Sequence, residues 1–509
     1  MKKVIIWAIL IALLCVPLSA GATQTTAPHT EFQSQADMLE LKLGDHGLWE
    51  WGEEYLLCQV MWNSLLLGEE DAQRFPNLAL TLEKMNLDKL LAMQEEMAWM
   101  LPIAQDVSNE YMHCTSESRY QVQRSDSAIL SIRENVYAFT GGAHPNTGVI
   151  GINFDCASGK ELKLSDVVTD TGRVLEIISD ALNKKYELGE FMDVDEALGM
   201  LTEDELEWTM NHQGLTFHFG PGMIAPYAAG LMNVTIWYDE YEELFHAEYL
   251  PPVQIAYAVE LPLFETVELD LVKGDGKRDE LMISAYMDAE GYAYEQLVIT
   301  VNGESLNMPE RYSYSLVPYL VTVSRGKDAS ASYICVQESS DNDYRTLSLF
   351  ELKADNVRFI TEIPGSGFAS VWDEEREAVY TELFNDPADF RLATRLDILG
   401  TMTGVRSYSI DGSSGYFTAQ ENYYDVSDAQ MQVVSVVPIE VTMLDDSEKT
   451  VMPAGTTFTF LRTDGCTYME TRLEDGKECR IDVRTDDEMM HWIGELPDWE
   501  CFEEVFYAG

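Results

Sequence analysis

Three stretches of this sequence carry residue types that could contact a ligand. The first is the turn Gly141-Gly142-Ala143-His144-Pro145-Asn146. Paired glycines permit positive φ and close approach of another main chain, and Pro145 pushes His144 toward an extended conformation. The turn therefore presents an imidazole on a fixed chain reversal. With no second His or Cys at ligand spacing, His144 is a ring that caps a neighbouring carbonyl or one that touches a ligand, rather than part of a zinc site. The second stretch is Ile224-Ala225-Pro226-Tyr227-Ala228-Ala229-Gly230, in which Pro226 sets φ and Gly230 the turn. It is a rigid connection or a lip that presents Tyr227. The third runs from Asp270 to Glu280. A calcium loop needs oxygen ligands at alternate positions around a glycine. Asp275, Gly276 and Asp279 fit that pattern, but Lys273 replaces a ligand and Asp270 is one residue out of register. A Ca2+ site at Asp275 and Asp279 thus competes with a plain Asp-Gly turn.

Other chemistry leaves little trace. There is no Gly-x-Ser-x-Gly, no His-Glu-x-x-His and no phosphate-cradling glycine loop. No catalytic residue is assigned, although so many carboxylates leave a glycosidase pair open. The 33 Lys and Arg stand against 88 Asp and Glu, a formal charge of -55, which repels nucleic acid and anionic membranes and favours cations and cationic proteins. Short acidic runs such as Glu203-Asp204-Glu205 and Asp373-Glu374-Glu375 are spread along the chain, as on a solvated surface.

The elements that must position these residues follow from periodicity. Met1-Lys2-Lys3 and the apolar residues 4–16, with Ala20-Gly21-Ala22 behind them, read as a signal peptide over 1–22, with an uncleaved anchor as the alternative. After cleavage no transmembrane span is expected. Seven cysteines then remain with no Cys-x-x-Cys, which makes at least one thiol free and disulfides optional. Leu78, Leu82 and Met85, then Leu90 and Leu91, then Met93, Met97 and Met100 recur at helical spacing up to Pro102, predicting one or two amphipathic helices whose Met stripe fills the core. Residues 120–123 and 128–132 alternate as strands, 149–155 and 161–164 form a hairpin, 174–182 form a helix, and Thr202 with Glu205 makes a capping box. The runs 215–219 and 234–238 are strands on either side of the Tyr227 loop. After Pro251-Pro252 the sequence turns strand-rich. From Gln432 short strands alternate with tight turns, and Trp492, Trp499, Phe502 and Tyr507 close a small barrel or bind sugar faces.

Taken together, the glycine turn, Ile152-Asn153-Phe154-Asp155, the run from Gly159 to Asp166 and the Tyr227 loop resemble the extracellular domain of lysozyme-sensing anti-sigma factors. The same kind of domain sits beside the catalytic domain in certain peptidoglycan deacetylases of Gram-positive bacteria. The resemblance covers roughly residues 53–250 and implies an α+β binding module outside the membrane, in some relatives a lysozyme receptor. Only Met1-Lys2-Lys3 precedes the apolar segment, which leaves no room for a sigma-binding helix, and the metal motif of the deacetylases is missing. The Asp270 to Glu280 stretch resembles an integrin-type propeller repeat, and the C-terminal strands resemble a bacterial SH3-like barrel.

The expected organisation is multi-domain. It comprises a signal peptide (1–22), a linker and domain start (23–52), an α+β module (53–262), an all-β propeller-like or sandwich segment (263–430) and an SH3-like β-barrel (431–509). The expected function is non-catalytic binding of lysozyme, another cationic wall-active protein or peptidoglycan, by a secreted or cell-surface protein, with Gly141, Gly142, His144, Pro145 and Tyr227 at the contact. The alternatives are a structural envelope protein without a specific ligand and a carboxylate-dependent glycan hydrolase.

Overall fold

The computed structural model describes residues 37–186, 194–252, 256–272, 275–324, 330–412, 414–426, 431–486, 490–503 and 505–507. The expected signal peptide and Lys273-Gly274 lie outside them. The chain is mostly β, arranged in several sheets.

The first sheet is built by β1 (Leu41–Trp51), β2 (Leu56–Leu67), β3 (Cys114–Ser125), β4 (Ile129–Phe139) and β5 (Asn146–Asp155). Its strands are antiparallel except for β2 and β3, which run parallel. A parallel pair needs a crossover, and after the short α1 (Glu69–Arg74) the 32-residue helix α2 (Pro76–Val107) supplies it. Pro76 sits at the helix start, where its missing N–H costs nothing. The helix does not stop at Pro102 as the sequence suggests; it runs through it to Val107. Met100 is fully buried, and Met93 and Met97 pack against Cys58, Val60 and Cys114, so the Met stripe is core.

Residues 161–164 do not complete a hairpin. Glu161 makes a single bridge to Phe154, and Leu164 already opens α3 (Leu164–Val167), with Asp166 accepting from Lys163 N at 3.0 Å. Then come α4 (Thr171–Tyr186), α5 (Val194–Gly199) and a three-stranded sheet of β6 (Glu207–Met210), β7 (Gly214–Phe219) and β8 (Met232–Trp237). Val174, Ile178 and Leu182 of α4 meet Leu215, Phe217, Val234 and Ile236 in one core. The Thr202–Glu205 capping box forms as expected.

The remainder is strand. After β9 (Tyr257–Glu260) comes a four-stranded meander of β10 (Thr266–Leu269), β11 (Asp279–Met287), β12 (Tyr294–Val301) and β13 (Glu304–Met308). It packs on a five-stranded sheet ordered β17-β16-β15-β14-β9, from Tyr257–Glu260 (β9), Ser315–Ser324 (β14), Ser330–Ser339 (β15), Arg345–Lys353 (β16) and Asn356–Pro364 (β17). Alternation sends Leu297, Ile299 and Val301 of β12 and Ile334 and Val336 of β15 into the shared core. The other face of β14 to β16 packs on β18 (Ser366–Phe368), β21 (Phe390–Asp397) and β22 (Thr401–Ile410). Between them β19 (Ser370–Asp373) and β20 (Ala378–Glu382) leave for the first sheet, where β20 pairs with β1.

Strand pairing also runs across the expected joint at 430/431. After β23 (Phe417–Ala419), β24 (Tyr424–Val426) pairs with Thr457–Thr463, so the C-terminal strands continue the sheet of β21 and β22. Neither a closed propeller nor a closed barrel forms among the described residues.

Candidate functional site

The β4–β5 hairpin and the β6–β8 sheet are joined at a close crossing. A Cβ on Gly151 would lie 2.0 Å from Trp208 O, so only glycine lets β6 cross β5 here. Around the crossing Gly151 N donates to Glu207 Oε2 at 2.8 Å, and Asn153 Nδ2 to Trp208 O at 2.8 Å. Ser131 Oγ donates to Asn153 Oδ1 at 2.6 Å and accepts from Met210 N at 2.8 Å. Asn153 and Ser131 are buried, so each of these polar groups needs its partner and the two sheets are locked in one orientation.

That lock brings together the two loops singled out in the sequence. Tyr227 Oη donates to Pro145 O at 2.6 Å, and the rings of His144 and Tyr227 lie 4.4 Å apart at an interplanar angle of 34°. Nδ1 of His144 is 3.2 Å from the same carbonyl. Each loop is anchored behind its tip. Ile224 and Ala225 are buried in the α4 core, Ala229 N bonds to Pro226 O, and Gly230 takes φ 74°. Gly141 takes φ 82° against Val107, whereas Gly142 is outside the positive-φ region and a Cβ there would make only an ordinary contact with His144 O at 3.8 Å, so only one glycine of the pair is required by the turn. His144 is exposed and Tyr227 is 42% exposed, giving a fixed aromatic ledge.

Among the described residues of the Asp-Gly loop, the candidate carboxylates are already engaged within the protein. Asp279 is buried and both its oxygens are used, Oδ2 by Leu271 N at 3.1 Å and Oδ1 by Asn302 Nδ2 at 2.6 Å. Asp275 accepts from Lys277 N at 2.9 Å, closing a short turn. Asp270 lies 3.5 Å from Arg278, whose guanidinium also binds Asp239 and Glu240 and stacks on Trp237. A side-chain cation therefore stands where a metal would have to compete. Of the C-terminal aromatics, Phe502 is core against Phe458, Trp492 donates to Asp486 Oδ2 at 2.7 Å, and Trp499 and Tyr507 are partly exposed.

One site has no local sequence signature. A cleft of about 610 Å³ opens between β1 to β4 and the β9–β14 edge, lined by Asp45, Arg119, Gln121, Asn135, Glu260 and Arg345 among others. Glu260 accepts from Gln121 Nε2 at 3.1 Å, and Gln121 in turn accepts from Asn135 at 3.0 Å. Burial, helped by the negative charge of Asp45, pushes the Glu260 carboxyl up to about 7, so near neutrality a large fraction of it carries a proton. Asp45 is held by Arg119 at 2.9 Å and Asn63 at 2.7 Å. Asp45 and Glu260 are far apart in sequence and no spacing rule links them.

Comparison with known proteins gives a match to part of the chain. A DUF3298-family protein from Bacteroides fragilis is similar at 16% identity over 42% of this chain and 96% of its own, with a TM-score of 0.34. A second, from Pseudomonas aeruginosa, is similar at 18% identity over 43% of this chain and 99% of its own, with a TM-score of 0.32. No curated protein matches. Residues 165–239, which include the Tyr227 loop, match the family model described as a protein of unknown function, DUF3298.

Proposed function

We propose that this chain is an extracytoplasmic, non-catalytic binding protein that uses the His144–Pro145–Tyr227 ledge to contact a cationic wall-active protein of the lysozyme type. The observation that carries this reading is the contact of Tyr227 with Pro145, 82 residues away, which holds two exposed rings together where no core demands them. Aromatic rings held rigidly at a surface supply contact area at small entropic cost. The charge of -55 favours a cationic partner and speeds encounter. The basic start and short apolar run of residues 1–16 support export. Calorimetric titration with lysozyme at physiological salt, against a non-lytic protein of similar positive charge, tests the proposal. Saturable binding to lysozyme alone, lost with His144→Ala and Tyr227→Ala, is expected; equal binding to both proteins, or none, overturns it. Wall glycan is the other ligand to titrate at the same ledge.

A second reading places glycan hydrolysis in the 610 Å³ cleft, supported by a proton-bearing Glu260 facing the same space as Asp45. It requires turnover of peptidoglycan or a chromogenic glycan by purified protein, abolished by Glu260→Gln. For the fold, the face-to-face meanders support blade-like units, and the short C-terminal strands support an opened SH3-like unit.

A further inference from the structure

The outward side of α2 is apolar along a straight line. Leu80, Leu87 and Leu91 are 64%, 55% and 51% exposed, and Ala98 is exposed with them. At 3.6 residues per turn these four positions fall within about 20° of one line. The opposite side is already packed: Leu78, Leu82, Met100 and Ala104 are buried, and Lys89 reaches back to Glu134. Single exposed leucines are ordinary, but a row of them on a helix whose core face is elsewhere is not.

The row reads alike from both ends. Leu80 and Ala98 are equidistant from position 89, and so are Leu87 and Leu91. An isologous contact between two copies requires this, since residue i must meet j while j meets i. Antiparallel pairing about position 89 sets Leu87 against Leu91 and each bulky Leu80 against a small Ala98, filling both ends evenly. The flanks agree. Lys84 and Glu95 lie on one side of the row, Glu83 and Gln94 on the other. The twofold then brings Lys84, already paired with Asp88 of its own helix, against Glu95 of the second copy, and Glu83 against Gln94.

We propose that α2 forms the contact of an antiparallel homodimer through Leu80, Leu87, Leu91 and Ala98. The contact is narrow and each chain carries a formal charge of -55, so the dimer is weak and strengthens as salt screens the mutual repulsion.

Sedimentation velocity of the purified full chain, at concentrations on the order of 1 to 100 μM and at low and high salt, tests this. The mass is expected to move from one chain toward two as concentration rises, sooner at high salt. Leu87→Asp with Leu91→Asp should remain monomeric. Lys84→Glu and Glu95→Lys are surface changes that leave the thermal melt in place. Each should weaken the dimer several-fold, and the two together should restore it. A chain that stays monomeric throughout, or a dimer indifferent to the leucine pair, overturns the contact. Failure of the combined charge variant to recover overturns the antiparallel arrangement. Dimerisation only after removal of residues 1–36 would assign the row to that segment and overturn the proposal as well.

Discussion

The base and the tip of the β4–β5 hairpin use similar residues for opposite ends. At the base, Gly151, Asn153 and Ser131 are consumed by the crossing with β6, and every polar group there has a partner inside the protein. At the tip, Gly142, His144 and Tyr227 stand at the surface, and their bonds end on one carbonyl. Motif residues that the fold consumes say nothing about a ligand; those it holds in place without burying are where a partner would be met. The histidines draw the same line. His218 on β7 and His212 in the β6–β7 turn are buried, the first 2.9 Å from Thr209 Oγ1 and the second stacked on Tyr257 at 4.1 Å, while His144 is exposed.

The sharpest way to test that line is acid. Burial, reinforced by Arg124 near His212 and Arg133 near His218, pushes both rings down to about 3. Between about pH 6.5 and pH 3 the unfolded chain binds the protons that these rings refuse, so stability falls as pH drops through that window. Glu260, raised to about 7, acts in the opposite sense, favouring the fold below its own value. By pH 4 the two rings together are expected to cost on the order of 7 kcal/mol, of which Glu260 offsets about half. Thermal melts across pH should show the slope, and His218→Gln should flatten it.

Gly151→Ala comes next. Its Cβ must displace the Trp208 backbone, and a loss of about 3 kcal/mol is expected in a denaturant midpoint, whereas Gly142→Ala should be nearly silent. Asp279→Ala leaves Leu271 N without its acceptor and removes one of the two acceptors of the Asn302 amide, which keeps Ala354 O, and should cost about 1–3 kcal/mol, equally with and without calcium; a wild-type melt raised by calcium would contradict the reading of that loop. The smallest expected change in stability is at the tip. His144→Ala and Tyr227→Ala should move the melt by less than about 0.5 kcal/mol while weakening partner binding about tenfold or more. A tip variant that unfolds the protein would erase the distinction.

Local signals in the sequence were sound where contacts are local. The α4 periodicity, the Thr202 capping box, the strands flanking Tyr227 and the two candidate loops all correspond to structure, because short-range spacing encodes a helix face or a turn. The helix continues beyond Pro102 because packing of Met100 and Ala104 on β2 and β3 outweighs one lost hydrogen bond. The strand β1 was hidden for a different reason. Gly44 interrupts its alternation, yet a Cβ there would lie 2.6 Å from the Tyr380 ring, so that glycine serves a strand far along the chain. The cleft holding Glu260 and Asp45 is likewise made by elements distant in sequence, and nothing within a window of a dozen residues announces it.

The visit of β19 and β20 to the first sheet reaches beyond architecture. Asn385 Nδ2 donates to Leu39 O across 346 residues, beside the pairing of β20 with β1. Until that late segment exists, β1 keeps an open edge, and at ordinary synthesis rates the wait is on the order of half a minute. During that interval the edge is a template for any passing strand, so production of this protein should be limited by how well the nascent sheet is kept from its neighbours. A fragment ending near residue 262 would carry the same exposed edge permanently.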